Sequence, residues 1–507
     1  MIGVAFGVVL EGISATVVRV EADVSQGLPQ FSIVGLPDSA VSESRLRIRA
    51  AMKNSGLPFP NSRITVNLSP ASLRKRGAGL DLAITMAILN AVGALSGERL
   101  NHCGFSAELG LSGRLVPVPG IMNLALSLHG SGFTQFFISQ EQWGACLPIP
   151  NFTWIGLNNL SEVVTWLRTK PATDCPIQPS WTLDPSLDAA ISGASSPVGD
   201  MKDVHGLEAA KRGLMIAACG RHHTLLIGPP GCGKTMLAER FSTILPPLSN
   251  AEALEVYALH QACGDMTELT AYPPLRAPHH SLTVAGLIGG GSPPMPGEAT
   301  LAHRGVLILD ELLEFQRQTL DSLREPLTTR QIRITRGNHT SLFPAAFILL
   351  GTLNPCLCGQ LGSGTCTCLP SEVRRYWSRV SGPFFDRMEL VITMQPTAES
   401  SNSPSRVKGS NHQSSADMRR IVTEGRAALL ARLTRLSSPL SDMEPKATNL
   451  LETSEQKLRL SKRAADAVVR VARTISVLDG RDSVTSSHLA EALALRVQRP
   501  WEAAGQE

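Results

Sequence analysis

The sequence predicts an α/β protein of several domains, and three observations support this. Over residues 198–395, apolar runs typical of buried strands alternate with helical segments, which indicates a parallel sheet covered on both faces. Residues 1–171 mix short strands with helices, as in an α+β domain, whereas residues 417–507 show helical periodicity alone. The segment 172–197 is predicted to be a linker and the Ser- and Asn-rich segment 396–416 to be flexible.

The composition is that of an ordinary globular chain. Its 507 residues are 43% hydrophobic, with 47 Lys and Arg against 43 Asp and Glu. This near balance excludes a highly basic nucleic-acid coat protein but is compatible with a local basic channel. Glu11 interrupts the apolar N-terminus, which lacks the basic start of a secretory signal, and no uncharged apolar run reaches the ~18 residues that span a membrane. We therefore expect a reducing, cytoplasmic location without membrane association, despite ten cysteines.

The first 171 residues contain clear local signals. Apolar patterning predicts strands at 17–24, 30–34 and 64–68. A basic helix with one apolar stripe is predicted over 39–55. The segment 81–94 is apolar almost all round, so it is predicted to be a buried helix.

The strongest motif is a phosphate-binding loop that follows an apolar strand at 224–227 and precedes a helical segment at 236–244. The loop consists of Gly228, Pro229, Pro230, Gly231, Cys232, Gly233, Lys234 and Thr235. Its glycines allow successive backbone N–H groups to surround phosphate oxygens at a helix N-terminus. In ATP-binding loops of this type, Lys234 would reach the β- and γ-phosphates and the Thr235 hydroxyl would ligate Mg²⁺.

Two further strands would complete this site. The apolar run 306–309 ends at Asp310, expected to hold Mg²⁺ through water, and at Glu311, expected to polarise the attacking water. The run 346–352 leads to Asn354, which would orient that water. All three strand ends would meet at one edge of a parallel sheet, where ligands bind in such folds.

Two arginines are predicted to act on phosphate from outside this loop. Arg387 would neutralise charge on the nucleotide of an adjacent subunit, although a surface ion pair with Asp386 is the simpler alternative. Arg463 opens a helix in the C-terminal segment and is a second candidate phosphate contact.

A cluster of cysteines follows Asn354 directly. Cys356, Cys358, Cys366 and Cys368 form a C-x-C-x₇-C-x-C pattern, and four thiolates suit tetrahedral Zn²⁺. Structural zinc sites more often use C-x₂₋₄-C pairs, so reduced, unliganded thiols on a loop are the alternative. Zinc at this place would brace the strand tip rather than catalyse.

Residues 329–342 alternate Arg with Ile and place Arg-Gly-Asn in the middle, which predicts a basic β-hairpin. Candidate contacts with a DNA backbone are Arg330, Arg333, Arg336 and His339. An ordinary solvated face is the alternative. A second basic surface is offered by Arg45, Arg47, Arg49, Arg74, Lys75 and Arg76, with the same alternative.

Together, the phosphate loop, the Asp-Glu strand, the Asn tip, the late arginine and the helical end resemble the AAA+ ATPases. The motifs at 276–281, 285–291 and 301–305 are similar to those of the magnesium-chelatase-like branch, and within it to the bacterial ComM/YifB-type members. The N-terminal segment 64–70 agrees. The resemblance is dense over residues 1–395 and looser beyond them.

This resemblance implies an N-terminal domain like the proteolytic domain of Lon proteases, with the ribosomal S5 domain 2-like fold, an AAA+ αβα core and an all-α C-terminal lid. It further implies ATP and Mg²⁺ as cofactors, hexameric rings, and DNA branch migration in homologous recombination and natural transformation. The Lon serine and lysine are unmatched, because residues 77–81 read GAGLD and residues 120–128 contain no Lys. Without that pair we expect no peptidase activity.

Three functions are weighed: a DNA translocase, a protein remodeller or adaptor using an inactive Lon-like domain, and a chelatase-type motor subunit. The basic hairpin favours DNA. The Lon-like domain disfavours a chelatase motor, and the missing Ser-Lys pair disfavours a protease. Leu313 stands where the family has Pro, and Thr328 and Thr329 replace a more acidic stretch. We expect these departures to affect activity rather than fold.

Overall fold

The chain forms two units in the computed structural model, residues 1–183 with 254–269, and residues 184–253 with 270–507. The structure describes residues 2–73, 75, 77–169, 199–264, 269–291, 294–336, 339–361, 365–395, 413–436, 440–458 and 460–496. The expected linker 172–197 and most of the segment 396–416 lie outside the described residues.

The first unit is built on a seven-stranded mixed sheet in the order β3-β4-β2-β1-β5-β8-β9, with a small β6-β7 ribbon beside it. Its strands are β1 (Ile2–Glu11), β2 (Ser14–Ser25), β3 (Gln30–Val34), β4 (Arg63–Ser69), β5 (Cys103–Phe105), β6 (Glu108–Leu109), β7 (Leu115–Val116), β8 (Gln135–Ser139) and β9 (Thr153–Leu157). The three predicted strands are confirmed as β2, β3 and β4. β1 escaped prediction because it lies between β2 and β5 near the sheet centre, where a strand reads as a continuous apolar run rather than an alternating one.

The helices of this unit cover the sheet. They are Ser39–Asn54, Asp81–Ala91, Gly97–Leu100, Ile121–Gly130 and Leu160–Thr169, with 3₁₀ turns at Ala78–Leu80 and Gln140–Ala145. The predicted helices at 39–55 and 81–94 are confirmed, and the second is buried along almost its whole length. Tyr257, in the segment assigned to this unit, donates its hydroxyl to the Ala145 carbonyl.

The proposed basic surface of this unit is only partly exposed. Lys75 is fully buried, and its ammonium donates to the carbonyls of Gly35 and Leu68 at 2.9 Å each. Arg47 is half-buried and donates to the Asp81 carboxylate at 2.7 Å. Lys75 is therefore not available to DNA and Arg47 is held in an ion pair, while Arg74 and Arg76 lie outside the described residues.

The second unit contains a five-stranded sheet in the order β11-β14-β17-β10-β18, in which every neighbouring pair is parallel. These strands are β10 (Thr224–Ile227), β11 (Leu275–Arg276), β14 (Val306–Leu309), β17 (Ile348–Leu353) and β18 (Leu390–Thr393). Two ribbons accompany them, β12 (Gly289–Gly290) with β13 (Met295–Pro296), and β15 (Gln331–Arg336) with β16 (His339–Pro344). The predicted parallel sheet is confirmed.

Helices flank this sheet and follow it. Before and between its strands in the chain lie Glu208–Gly220, Lys234–Arg240, Val284–Ile288, Glu298–Leu301, Arg317–Ser322, Pro326–Thr329, Pro370–Trp377 and Gly382–Phe385. The helix Asn250–Ala262 also falls here in the sequence, but its residues from 254 onwards belong to the first unit. After them come Ser415–Leu433, Pro445–Lys457, Lys462–Leu478 and Ser486–Ala494, so the helical periodicity of the C-terminal segment is confirmed. The 3₁₀ turns are Met201–Asp203, Phe241–Ile244 and Leu312–Glu314.

The C-terminal helices share one hydrophobic core with the sheet. Val468 and Leu489 lie in the same buried cluster as Leu226 of β10 and Ile392 of β18. Apolar burial at this interface holds the helices against the sheet. None of the described helices combines the length and the hydrophobicity needed to cross a membrane.

Candidate nucleotide-binding site

The predicted phosphate loop connects the carboxyl end of β10 to the helix that begins at Lys234. Gly231 and Gly233 have φ angles of 77° and 88°, a left-handed conformation that glycine adopts without steric cost. Gly228 has no room for a side chain, because a Cβ there would lie 2.8 Å from the Met394 carbonyl oxygen. The glycines are therefore required by the backbone path of the loop.

The Lys234 ammonium lies inside this loop. It donates to the carbonyls of Gly228 at 2.7 Å and Pro229 at 2.9 Å, and to Asn354 Oδ1 at 3.0 Å. Burial lowers the pKa of Lys234, an effect opposed by its electrostatic interactions with Cys232, Asp310 and Glu311. Phosphate oxygens entering the loop would compete with these acceptors for a preformed donor.

Asp310, the residue expected to hold Mg²⁺, lies opposite the loop. Thr235 Oγ1 donates to both Asp310 carboxylate oxygens at 3.3 Å, so the two predicted metal-binding groups meet. Thr352 of the neighbouring strand β17 also donates its hydroxyl to Asp310. Hydroxyl and carboxylate oxygens are the ligands that Mg²⁺ prefers, so the cluster fits this cation.

Glu311 occupies a strained backbone position with φ 50° and ψ 50°. A non-glycine residue in this left-handed region costs roughly 1 kcal/mol, and such strain is concentrated at functional sites. The backbone N–H of Glu311 donates to Thr352 Oγ1 at 3.1 Å. Thr352 thus anchors both acidic residues, a role that sequence reasoning missed; its only signal is a hydroxyl within a wholly buried strand.

These groups line one cavity of about 360 Å³ at the carboxyl ends of β10, β14 and β17. Lys234, Thr235, Asp310, Glu311 and Asn354 all contribute to it, as do Leu313, Glu314 and Tyr376. Leu313, the departure from the family's Pro, is 2% exposed and its carbonyl accepts from Arg379 at 3.1 Å. The larger side chain is accommodated within the pocket wall.

The four clustered cysteines converge beside this cavity. Their sulfur atoms all lie within 4.8 Å of one another, with separations of 3.3 Å for Cys356–Cys358, 3.7 Å for Cys356–Cys366 and 3.6 Å for Cys358–Cys366. The fourth member, Cys368, accepts from the Cys358 backbone N–H at 3.4 Å. Zn–S bonds of about 2.3 Å in a tetrahedron place sulfur atoms about 3.8 Å apart, so the spacing fits zinc.

The loop that carries the four cysteines, residues 355–368, also packs against the phosphate loop. A Cβ at Gly359 would lie 2.4 Å from Pro230 Cδ, so glycine is needed for this close approach. The Trp377 indole N–H donates to the carbonyl of Pro355, the residue before Cys356, at 3.0 Å. The cysteine loop therefore links the end of the strand at Asn354 to the phosphate loop that contains Lys234.

The predicted basic hairpin is confirmed as β15 and β16. Ile332 and Ile334 are 3% and 7% exposed, whereas Arg333 between them points to solvent. Arg336 pairs with His339 in the last described pair of the ribbon, and the side chains of both lie outside the described residues. Arg330 directly precedes β15, and its side chain lines a cavity in a different part of the unit.

Arg387, Arg463 and Arg330 line a second cavity of about 580 Å³. Its walls include His222 and His223 just before β10, and Ala346 and Phe347 just before β17, so it lies at the amino ends of the strands. Strands of four to six residues separate the two edges of the sheet by about 13–20 Å. The structure therefore does not bring these arginines to the phosphate loop of the same chain.

Hydrogen bonds fix the position of the Arg387 guanidinium within this second cavity. It donates to Thr328 Oγ1 at 3.1 Å and to the Pro383 carbonyl at 2.5 Å, rather than to the Asp386 carboxylate offered as the alternative. Burial lowers the pKa of Arg387, and the neighbouring charges of Arg463 and Arg324 lower it further. Converging, mutually repelling cations favour an anionic ligand.

Comparisons with known proteins identify the family of the chain. Three family models match: "Magnesium chelatase, subunit ChlI" over residues 200–402, "Subunit ChlI of Mg-chelatase" over 20–142 and "Magnesium chelatase, subunit ChlI C-terminal" over 412–496. The "Uncharacterized protein YifB" of Escherichia coli is 37% identical over 495 residues, and "Competence protein ComM" of Haemophilus influenzae 36% identical over 495 residues. Each alignment covers 96% of this chain and 95% of the relative.

A more distant similarity concerns the "Lon protease" of Mycolicibacterium smegmatis, which is 24% identical over 200 residues, 38% of this chain and 24% of that protein. The fold and the phosphate-loop site together define an AAA+ family member. The chain belongs to the magnesium-chelatase-like family of these proteins, with full-length relatives in the YifB and ComM group. The resemblance deduced from the motifs is thereby confirmed.

Proposed function

We propose that this protein is an ATP-hydrolysing ring motor, most simply a hexamer, whose ATP sites lie between adjacent copies. The observation that carries this proposal is the division of phosphate-binding groups between the two edges of one sheet. Lys234, Thr235 and Asp310 line one edge, and Arg387 and Arg463 line the other. A single chain therefore supplies only one of the two sets to a given nucleotide, and the neighbouring copy in a ring supplies the other set.

In this proposal each residue has a defined role. Lys234 binds the β- and γ-phosphates, and Thr235 with Asp310 holds Mg²⁺. Glu311 accepts the proton of the attacking water while Asn354 orients that water. Arg387 and Arg463 of the neighbouring copy stabilise the charge that develops on the transferred phosphoryl group.

We further propose DNA as the partner of the motor, bound without sequence preference. The support is the hairpin β15–β16, whose inward isoleucines leave Arg333 exposed, together with the relative named as a competence protein. The activity would be branch migration in homologous recombination and natural transformation. The deciding experiment is migration of a synthetic four-way junction with and without ATP.

The same protein preparation separates this proposal from its alternatives. DNA should raise ATP turnover if the protein is a DNA translocase, and unfolded protein should do so if it is a remodeller. Absence of both DNA binding and DNA stimulation would reject the DNA proposal while leaving the ATPase proposal intact.

Replacement of Arg333 by Ala is expected to weaken binding of single-stranded DNA. Because each phosphate contact releases counterions, the log–log salt dependence of affinity should become shallower by about one for each contacting subunit. The measurement is DNA affinity across a salt series. Arg435→Ala, which removes an exposed arginine from the C-terminal segment, is the matched control. If the slope of log affinity against log salt concentration is unchanged in Arg333→Ala, Arg333 does not contact DNA phosphate.

We also propose that the four-cysteine cluster binds one structural Zn²⁺. The bound ion would cross-link the cysteine loop, which follows Asn354 and packs against Pro230 of the phosphate loop. Metal analysis of protein purified without chelator should find about one zinc per chain, and Cys366→Ser should reduce it to near zero and lower the unfolding temperature. Cys263→Ser, outside the cluster and half-buried, should retain the metal. Wild-type protein without zinc would reject this site.

A further inference from the structure

Arg330 lines the second cavity but has no part in the roles proposed above. Arg330 was expected from the sequence to contact DNA with the rest of the hairpin, yet it lines the cavity that also contains Arg387 and Arg463. Strand β15 begins at the next residue, so Arg330 lies at the base of the hairpin. It therefore belongs to the hairpin in sequence, but its side chain lies with Arg387 and Arg463 at the amino ends of the sheet strands.

The backbone of Arg330 has a conformation that favours glycine. Its φ and ψ angles are 58° and 23°, and it caps the helix Pro326–Thr329. Arg221, which caps the helix Glu208–Gly220 with φ 57° and ψ 42°, lines the same cavity. A side chain in this conformation costs about 1 kcal/mol relative to glycine. Two helix ends thus carry strained arginines where glycine would be more stable, and both arginines border one cavity.

The charges around this cavity are unbalanced. Six cationic side chains border it, namely Arg221, Arg330, Arg387, Lys462, Arg463 and Arg470, against the carboxylates of Asp386, Glu389 and Asp466. Glu389 contacts His222 Nδ1 at 2.5 Å and is paired with Arg470 Nε at 3.0 Å, so five cations remain against the two carboxylates of Asp386 and Asp466. Unneutralised guanidinium groups around one concave site have the geometry and charge that bind phosphate.

Electrostatic repulsion within the cavity supports the same interpretation. Burial lowers the pKa of Arg221 to about 10, and the nearby charges of Arg426, Arg304 and Arg330 contribute. His223 is buried and its pKa is lowered to about 4, so it is neutral near pH 7 and adds no competing charge. A bound anion would relieve the repulsion between Arg221 and Arg330.

We propose that Arg330 is a third phosphate-binding arginine for the nucleotide held by the neighbouring copy, and that it couples this nucleotide to the hairpin β15–β16. The inference rests on the proposed shared ATP site. The coupling is direct, because the Arg330 carbonyl accepts from the Ala345 N–H at 2.8 Å and so closes the base of the hairpin. A displacement of Arg330 towards a phosphate moves both ends of the hairpin together.

The test is Arg330→Gly, since glycine suits the backbone conformation and the relieved strain offsets the added entropy of the unfolded chain, so the variant should fold about as stably as the wild type. Loss of one charge-assisted hydrogen bond to phosphate should lower ATP turnover at saturating Mg–ATP by about 10- to 100-fold and abolish stimulation by single-stranded DNA. Arg330→Lys keeps the charge and should recover part of the turnover. Arg435→Ala is the control that leaves turnover unchanged.

A mixing experiment checks that the contact crosses between copies. Lys234→Ala copies retain Arg330, and Arg330→Gly copies retain the phosphate loop. Mixed rings should hydrolyse ATP faster than the average of the two separate preparations, because some intact loops then face an intact Arg330. A turnover equal to that average would place Arg330 outside the neighbouring site and overturn the inference.

The remaining outcomes are distinct from one another. If the wild type hydrolyses ATP and Arg330→Gly does so equally well, the inference is rejected and the proposed function stands. If Arg330→Gly loses only DNA affinity, Arg330 binds DNA phosphate and the inference is likewise rejected. If the wild type does not hydrolyse ATP with or without DNA, both the proposed function and the inference are rejected.

Discussion

Replacing Glu311 by Gln is expected to reduce ATP hydrolysis by roughly 10²- to 10⁴-fold while ATP binding persists. The amide keeps the shape of the side chain but cannot accept the proton of the attacking water. The backbone anchor from the Glu311 N–H to Thr352 is unaffected, so the strained strand end should remain in place. The measurement combines single-turnover hydrolysis with the affinity for Mg–ATP.

The appropriate control for this variant is Glu314→Gln. Glu314 lines the same cavity but lies beyond the strand end, paired with Arg379 at 3.4 Å, and it should tolerate the change with little loss of turnover. Equal losses in the two variants would mean that general electrostatics, rather than a specific base at Glu311, controls hydrolysis. Persistence of full activity in Glu311→Gln would contradict the proposed catalytic role.

Replacing Lys234 by Ala is expected to weaken nucleotide binding by about 100-fold and to abolish turnover, because a charge-assisted contact to the phosphates is removed. The structure adds a second consequence. Asn354 Oδ1 loses its 3.0 Å partner, so the strand tip beside the cysteine cluster loses one of its contacts with the phosphate loop. Equilibrium binding of a fluorescent ATP analogue measures the effect.

Lys202→Ala provides the comparison, since Lys202 is an exposed lysine of the same unit that lies outside the cavity. Its nucleotide affinity should equal that of the wild type. Unchanged affinity in Lys234→Ala would show that the loop does not hold the phosphates through this ammonium, which would undermine the assignment of the site.

Motif-bearing elements were the most predictable part of the fold. The parallel sheet follows from apolar runs that end in Gly228, Asp310 and Asn354, because the requirement to bury both faces dictates continuous apolar strands. The first strand, Ile2–Glu11, was missed since an apolar segment at a chain start has no alternation to identify it. Local pattern does not distinguish such a central strand from other apolar segments.

Side-chain environments were less predictable than elements. Lys75 and Arg47 belong to a basic stretch of sequence, yet one is buried against carbonyls and the other binds Asp81. Thr352 could not be singled out, because its contact with Asp310 joins residues 42 positions apart. Sequence spacing carries no information about such long-range partners.

The sequence by itself determined the chemistry of the phosphate loop, the acidic strand end, the tetrad of cysteines and the family of the chain. These depend on residue type at short spacing, where backbone geometry leaves little choice. Only the tertiary structure decided which arginines meet. Arg330, Arg387 and Arg463 lie on separate segments, and a parallel sheet brings them to the edge opposite Lys234 because residues before its strands and residues after them occupy opposite edges.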